Sequence, residues 1–385
     1  MKHGGEGTAA AAAGGGTNAA APRLKQRPIP DPPEMATAGW RGPARFLLVL
    51  ALAAAVIALA VGALNTLVDP YGMVGLQLLP TATTPDRTLK ADAIENLQRA
   101  PQLVVLGSSR SKRYQPSYLR EKTGLRTFNA GVSGIGGTAD SWAMARFIDE
   151  VWPGSHPAWL WLLDVESFVP FEVQGRTAGE PRLAKYIDQA AASRGLGSTL
   201  RNVAENRLSI FSWVTAKDSL RVLTQLDKLK RQAKAYRAMY LPDGGLKESP
   251  LSAKELQGRL PKSIKRYSDL YRTAYRRLDP EAQRYFEEAL AFMNAQGATP
   301  LIVLTPINPK LRDVVGPLGW DTRHQQVLAY LEALASTYHF LLLDNSDPVK
   351  FHYDPQQFYD GVHMTDANTR RAIDYILEQT GGIPQ

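Results

Sequence analysis

The stretch Leu103–Arg110, Leu-Val-Val-Leu-Gly-Ser-Ser-Arg, decides how the rest of the chain is interpreted. Its first four residues form a continuous apolar run that ends at a glycine, which is typical of a strand buried on both faces of a parallel sheet. Gly107 permits a tight turn at the end of that strand. The sequence therefore predicts a strand, a turn and an exposed serine hydroxyl in direct succession.

Further apolar runs of this kind alternate with amphipathic stretches along the chain. We predict strands at 126–129, 158–164, 300–305 and 340–343, and helices at 139–151, 280–294, 322–338 and 366–379. Continuous apolar strands separated by helices indicate a parallel sheet that is covered on both faces. The predicted fold class is α/β, a flavodoxin-like three-layer α/β/α sandwich with a parallel sheet of about five strands.

A long apolar run without charges, Phe46–Leu64, precedes these elements. Its 19 residues would span about 28 Å as a helix, close to the hydrocarbon thickness of a bilayer. A signal peptide or a buried core helix would also carry such a run. The run is long, however, it lies far from the start, and no clear small-residue cleavage site follows it. We predict one N-terminal transmembrane helix at 46–67.

The charges around this run predict its orientation. The chain before it carries six basic residues, namely Lys2, Arg23, Lys25, Arg27, Arg41 and Arg45, whereas Asp69 and Asp86 lead the chain after it. The positive-inside rule then places the N-terminus in the cytoplasm. We predict a disordered cytoplasmic tail at 1–45, rich in Ala, Gly and Pro, and an extracytoplasmic domain at 68–385.

The composition excludes several classes of protein. With 44% hydrophobic and 21% charged residues, the chain of 385 residues is not disordered along its whole length. The absence of cysteine excludes a disulfide scaffold, a cysteine zinc site and a thiol nucleophile. The net charge of +8 is concentrated, because residues 215–278 carry 16 Lys and Arg against 6 Asp and Glu. We predict a basic helical insertion at about 172–279.

The insertion carries two helical apolar stripes. The first is Leu220, Leu223, Leu226 and Leu229, and the second is Ile264, Tyr267, Tyr271, Tyr275 and Leu278. The stripes either pack against each other and leave solvated basic faces, or present a basic, tyrosine-bearing surface to anionic lipid headgroups or an acidic glycan. Nucleic acid is not an expected partner, because the predicted topology places this segment outside the cytoplasm.

Three polar motifs follow strands of the predicted sheet. They are Gly107–Arg110 after the first strand, Asn129–Gly134 (Asn-Ala-Gly-Val-Ser-Gly) after the second, and Asp360–His363 (Asp-Gly-Val-His) before the last helix. Each motif alone would also suit a cap, a turn or a surface loop. Because the carboxyl ends of parallel strands meet at one edge, where doubly wound folds bind ligands, we expect the three motifs to lie together.

The residue types in these motifs suit a hydroxyl nucleophile, a base and an anion-binding loop. An Asp three residues before a His can bond one imidazole nitrogen and leave the other free as a base. The glycine-rich loop can present backbone N–H groups to an oxyanion. His352 is a rival base. Metal chemistry and a nucleotide cofactor are not expected, because the sequence has no H-E-x-x-H motif, no P-loop and no G-x-G-x-x-G after a strand.

Taken together, the motifs resemble those of the SGNH (GDSL-type) hydrolase superfamily. With the N-terminal anchor and Asp69–Gly72 (Asp-Pro-Tyr-Gly), the chain is similar, more narrowly, to membrane-bound SGNH-like proteins. Those include the D-alanine-transfer protein of teichoic acid modification and the alginate O-acetylation proteins. The resemblance covers roughly residues 100–170 and 295–380, and the tail and the insertion fall outside it.

The resemblance implies a role for each motif residue. Ser109 would be the nucleophile, His363 the general base and Asp360 its orienter. Gly134 would donate to the oxyanion beside the backbone N–H of Ser109, and Asn129 and Arg110 would bind the oxyanion or the substrate. Arg110 supplies a substitute positive charge or pairs with an acid.

One element of the family pattern is missing. The Gly-x-Asn-Asp expected after the third strand is replaced by Asp164–Ser167, so the side-chain amide donor is absent. Loss of one such donor typically costs about 10²- to 10³-fold in rate.

The function implied by the resemblance is a membrane-anchored serine acyltransferase or esterase. It would act on acyl esters of cell-surface polysaccharide through a Ser109 acyl-enzyme, without a cofactor. The alternative is a catalytically inactive glycan-binding or scaffold component of an envelope polysaccharide assembly. Expected partners are the polysaccharide or acylated glycan and a membrane-bound acyltransferase. The expected location is the bacterial inner (cytoplasmic) membrane, with the C-terminal domain in the periplasm.

Overall fold

The computed structural model describes residues 41–74, 76, 78–82, 85–134, 137–170, 179–198, 200, 208–247 and 258–384. The chain divides into two compact units, Met1–Ala54 and Ala55–Gln385. Of the first unit, only the beginning of helix α1 (Arg41–Val68) is described. We predicted a tail at 1–45. Residues 1–40 of it lie outside the described residues, and residues 41–45 are helical.

Helix α1 contains the whole apolar run and extends beyond it at both ends. Its 28 residues are enough to cross a bilayer at 1.5 Å per residue. Most of its large apolar side chains are exposed, among them Phe46, Leu52 and Leu59. The prediction of one N-terminal helix that is long and apolar enough to span a membrane is confirmed.

The core is a parallel sheet of five strands. These are β1 (Leu103–Gly107), β2 (Thr127–Asn129), β3 (Ala158–Leu163), β4 (Leu301–Leu304) and β5 (Leu341–Asp344). Their order is β2-β1-β3-β4-β5, and every neighbouring pair is parallel. This is the flavodoxin-like order, which reverses direction between β1 and β3. The predicted fold class is confirmed, with strand ends shifted by at most one residue.

Twelve helices with complete bounds in the described residues accompany the sheet. After α1 they are α2 (Asp86–Glu95), α3 (Pro116–Thr123), α4 (Thr138–Val151), α5 (Pro181–Ser193), α6 (Trp213–Thr224), α7 (Leu226–Ala238), α8 (Arg259–Thr273), α9 (Pro280–Ala295), α10 (Pro309–Val315), α11 (Asp321–Leu334) and α12 (Asp366–Thr380). Successive strand residues such as Val104 and Val105 belong to two separate apolar clusters. Because successive side chains point to opposite faces of a sheet, the sheet is the middle of three layers.

The insertion between β3 and β4 is helical, as predicted, but its apolar stripes do not pack against each other. Leu220 and Leu223 are exposed. Tyr267 and Tyr271 are buried in the main core instead, where the Tyr271 hydroxyl donates to Glu166 Oε1 at 2.6 Å. The prediction of a tyrosine-bearing surface, the second alternative for these stripes, is therefore also wrong, because these rings face the core.

Candidate active site

The turn after β1 presents Ser109. Gly107 has a φ of 138°, and a Cβ there would lie 2.4 Å from the carbonyl oxygen of Leu162. Only glycine fits such a position. The Ser111 backbone N–H and hydroxyl both donate to the Ser108 carbonyl oxygen, at 3.1 and 2.7 Å. These two bonds close the turn and place Ser109 at its half-buried tip.

The loop before α12 presents His363 and Asp360. An antiparallel bridge joins Phe358 to Met364 at the base of this loop. Asp360 Oδ1 accepts hydrogen bonds from the backbone N–H groups of Val362 and His363, at 2.8 and 2.9 Å. Asp360 Oδ2 lies 2.8 Å from His363 Nδ1. The Asp three residues before the His thus folds back onto the imidazole.

The two loops meet at Ser109 and His363. Ser109 Oγ lies 2.8 Å from His363 Nε2, although 254 residues separate them in the sequence. With the proton on Nδ1 and donated to Asp360, Nε2 is left to accept the hydroxyl proton of Ser109. The three side chains thus form a Ser-His-Asp line in which each group contacts the next.

Asp360 is ionised well into the acid range. Burial raises the pKa of this carboxyl, but the hydrogen bond and charge of His363 and the two backbone N–H groups together lower the pKa from 3.8 to about 2. The carboxylate therefore keeps its bond to His363 Nδ1 at neutral pH.

The lowered pKa of Asp360 predicts a pH-dependent contribution to stability. Because the folded pKa lies below the ordinary value of 3.8, ionised Asp360 stabilises the fold above about pH 4, and this contribution is lost as the pH falls through about 2. We expect Asp360→Asn to lower the free energy of unfolding of the full chain in detergent by about 2 kcal/mol at pH 7, and by much less at pH 2. Asp313→Asn, at an exposed position, is the control. Equal losses for Asp360→Asn at both pH values would contradict the account.

The glycine-rich loop after β2 runs beside β1. The Ala130 and Val132 backbone N–H groups donate to the carbonyl oxygens of Val105 and Gly107, at 2.8 and 3.1 Å. These bonds extend the pairing of the two strands and carry the loop to the edge where Ser109 lies.

Two backbone N–H groups at this edge are available to an oxyanion. Those of Ser109 and Gly134 donate to no acceptor among the described residues. Both residues line one cavity. The structure thus places Gly134 at the same cavity as Ser109, as the motifs predict.

Asn129 does not lie in this cavity. Its Nδ2 donates to the carbonyl oxygens of Ser111 and Tyr114 at 2.8 and 2.9 Å, and its Oδ1 accepts from the Gly131 N–H at 2.9 Å. Because the side chain is fully buried and its donors are used, we correct its assignment from substrate binding to support of the two loops. His352, the rival base, does not line the cavity either.

Arg110 is held by two acids that follow β3. Its guanidinium is buried, with Nη2 2.7 Å from Glu166 Oε2 and Nε 3.6 Å from Asp164 Oδ1. Burial lowers the pKa of Arg110, but the charges of Asp164 and Glu166 raise it well above the ordinary value. After β3, where the SGNH pattern would have an oxyanion-binding Asn, this chain has Asp164 and Glu166, and these two acids bind Arg110. The pairing interpretation of Arg110 is the one that the contacts support.

Asp86 of helix α2 and Lys112 support the site, and the sequence did not predict this role for either residue. Asp86 Oδ2 accepts from the Ser133 backbone N–H at 2.6 Å and from Lys112 Nζ at 3.1 Å. Lys112 Nζ also donates to Ser133 Oγ at 2.9 Å and to the Tyr236 hydroxyl at 2.6 Å. Burial raises the pKa of Asp86, but the Lys112 charge and the hydrogen bonds that Asp86 accepts from Ser133, Tyr236 and Tyr240 lower it far below the ordinary value. Asp86 and Lys112 therefore fix the loop that ends at Gly134.

The cavity has a volume of about 500 Å³ and contains Ser109, Arg110, Gly134, Asp360 and His363 in its wall. Three of its cations each pair with a buried carboxylate, namely Arg110 with Glu166, Lys112 with Asp86 and Arg113 with Asp366. Two more, Arg259 and Arg266 of α8, are exposed and form no ion pair with any described residue. Within the part of the chain that the structure describes, these two positive charges of the cavity wall therefore have no ion-pair partner.

Comparison with known proteins gives no family for this chain. No protein-family model matches it, and no curated protein matches it at a significant level. In the described ranges, no group of three or more His, Asp or Glu side chains is arranged to hold a metal ion.

Proposed function

We propose that the chain is a membrane-anchored, SGNH-like serine acyltransferase or esterase that acts on acyl esters of cell-surface polysaccharide. The observation that carries the proposal is the line of contacts from Ser109 Oγ through His363 to Asp360, at 2.8 Å for each contact. Helix α1 would anchor it in the bacterial inner membrane, with the domain after α1 in the periplasm. Membership of the SGNH superfamily is part of the proposal and rests on the motifs and on the site that they form.

The first half-reaction forms an acyl-enzyme. Ser109 Oγ attacks the ester carbonyl carbon while His363 Nε2 takes the hydroxyl proton. The bond from the carbonyl carbon to the alcohol oxygen breaks, and the protonated His363 gives its proton to that oxygen. Asp360 stays ionised and stabilises the imidazolium.

The second half-reaction resolves the acyl-enzyme. Water or a sugar hydroxyl attacks the acyl carbon, His363 takes its proton, and Ser109 leaves with the proton returned. In both steps the backbone N–H groups of Ser109 and Gly134 would stabilise the oxyanion. The SGNH pattern has a third oxyanion donor, the Asn side-chain amide, which this chain lacks. Loss of one donor costs about 10²- to 10³-fold in rate, which favours a slow enzyme or one specialised for transfer.

The two arginines that have no ion-pair partner among the described residues favour an anionic substrate. Arg259 and Arg266 are seven residues apart on α8, which places them on the same side of the helix about 10 Å apart. Ser263, between them, also lines the cavity. A glycan with carboxylate or phosphate groups would pair with this row while its ester reaches Ser109.

If Arg259 and Arg266 bind an anionic substrate, removing their charges should change the substrate preference. We expect Arg259→Gln with Arg266→Gln to raise KM for an acylated anionic oligosaccharide about tenfold and to leave KM for a neutral acetyl ester unchanged. The matched control is Lys262→Gln with Arg272→Gln, which removes the same charge from two exposed residues of α8 that do not line the cavity and form no ion pair with any described residue. The effect on KM should shrink as salt is added. An equal rise in KM for both esters, or in both double variants, would refute the role of the row.

The direct test of the function follows the acyl group. The purified full chain is incubated with an acyl ester of a cell-surface polysaccharide and with free sugar acceptor, and both released acid and acylated acceptor are measured. Release or transfer that is lost in His363→Gln supports the enzyme. Glycan binding without any acyl turnover, unchanged in His363→Gln, would support the inactive glycan-binding or scaffold component instead.

A further inference from the structure

Among the described residues outside α1, the exposed large apolar side chains form three groups, at 74–78, 196–200 and 208–223, besides three isolated positions, and the group at 208–223, in and beside α6, is the largest. Phe211, Trp213, Val214, Leu220 and Leu223, here called the α6 patch, are each between 45% and 65% exposed. Among the described residues from 225 to 384, by contrast, the exposed large apolar side chains are only Val314, Leu341 and Val349. A patch of this kind on one short segment marks a surface with an apolar partner.

The α6 patch is fixed to the end of the apolar run in α1. Asn65, the first residue after that run, donates through Nδ2 to the Ile210 carbonyl oxygen at 2.6 Å and accepts from Ser219 Oγ at 2.7 Å. The Phe211 ring packs over Gly62, where a Cβ would lie 2.6 Å from it. The patch therefore lies at the level at which the apolar run gives way to polar residues.

Helix α6 has the pattern of a helix that lies in a membrane interface. Ala216, Ser219 and Val222 are buried on its inner side. Trp213 and Leu220 are seven residues apart and share the outer side. Tryptophan is enriched at the border between hydrocarbon and headgroups. The exposed Lys217 can lay its aliphatic stem along lipid and keep its ammonium in water.

Helix α7, which follows α6 after one residue, adds positive charge beside the patch. Its Lys228, Lys230, Arg231 and Lys234 are exposed, and Asp227 is its one acidic residue. Basic side chains near a bilayer surface are attracted to anionic headgroups. The apolar patch and the basic helix together match the two layers of an anionic membrane surface.

We propose that the α6 patch docks into the interfacial layer of the bilayer that α1 spans, with α7 against anionic headgroups. The proposal rests on anchoring by α1 and does not depend on the chemistry at Ser109. Tyr236 and Met239, at the end of α7, line the cavity of the candidate site. Docking would therefore hold that cavity at a fixed height above the lipid surface.

The absence of cysteine makes the test direct. Single-cysteine variants Leu220→Cys, Val349→Cys and Leu52→Cys of the full chain are labelled with a fluorophore and reconstituted in vesicles of phosphatidylcholine and phosphatidylglycerol. Quenching by nitroxide-labelled lipid and by aqueous iodide is measured for each label. Val349 is the matched control, because it is also apolar and exposed.

We expect the label at 220 to be quenched several-fold more by nitroxide lipid, and several-fold less by iodide, than the label at 349. The label at 52 should be quenched by nitroxide lipid, which tests anchoring by α1 separately. If the label at 52 is not quenched, α1 does not span the bilayer and the proposal is overturned. Equal iodide quenching at 220 and 349 would overturn docking. Protection from iodide at 220 without nitroxide quenching would show a protein partner on the patch and would also overturn it. Vesicles without phosphatidylglycerol should weaken the quenching by nitroxide lipid at 220, and no change would refute the role of α7.

Discussion

Ser109→Ala is expected to reduce ester hydrolysis by the full chain by about 10⁴-fold or more, because it removes the proposed nucleophile and leaves only the proposed oxyanion donors and substrate binding. His363→Gln should have a similar effect, and the double variant should be little worse than either single variant, since the two residues act as a unit. The measurement is kcat for a small acetyl ester in detergent solution.

Ser263→Ala is the matched control for this prediction. Ser263 lines the same cavity, but its hydroxyl is not part of the contacts between Ser109, His363 and Asp360. We expect kcat within a few-fold of the wild-type value. A Ser109→Ala variant that keeps wild-type kcat would show that the hydrolysis does not pass through Ser109. Effects of Ser109→Ala and His363→Gln that simply multiply would show that the two residues do not act as a unit.

Arg110→Gln is expected to destabilise the fold by about 3–5 kcal/mol, because it leaves buried carboxylates without their cation. Arg110 and Glu166 are both almost fully buried and lie 2.7 Å apart. Adding Glu166→Gln to Arg110→Gln should restore part of the loss, since a buried neutral amide costs less than an unpaired charge. The measurement is the free energy of unfolding in denaturant.

An exposed ion pair on the same protein serves as the control. Lys122 and Asp374 lie 2.9 Å apart on the surface, and Lys122→Gln should cost no more than about 1 kcal/mol. If Arg110→Gln costs no more than Lys122→Gln, the buried pair is not structural. If Arg110 supplied charge to the oxyanion, the folded Arg110→Gln, Glu166→Gln variant would lose about 10²-fold or more in kcat.

The sheet could be predicted because four of its five strands are short and mostly apolar. The run at Leu103–Gly107 is a strand with the predicted ends, since nothing polar interrupts it. Helix α2 was missed because its inner side carries Asp86, Arg87 and Lys90, all buried, and buried charges give no apolar period. The leucine stripe of the insertion was misassigned because α6 packs through its small residues, among them Ala216 and Ser219.

The candidate site could be predicted as a set of motifs but not as a set of contacts. Parallel strands bring their carboxyl ends to one edge, so Ser109, Gly134 and His363 were expected together. The direction of the Asn129 side chain depends on carbonyl oxygens of the turn after β1, which no local pattern shows. Arg259 and Arg266, which pair with no acid in the described ranges, could not be distinguished from other basic residues of the insertion, because the pairing of a charge depends on the tertiary structure.

The most direct test of the central claim is labelling of the full chain with a serine-directed fluorophosphonate, followed by peptide mass spectrometry. The account predicts a covalent adduct on Ser109 in the wild-type protein, weaker labelling in His363→Gln and none in Ser109→Ala. The absence of an adduct on folded wild-type protein, or an adduct on a serine other than Ser109, would contradict it.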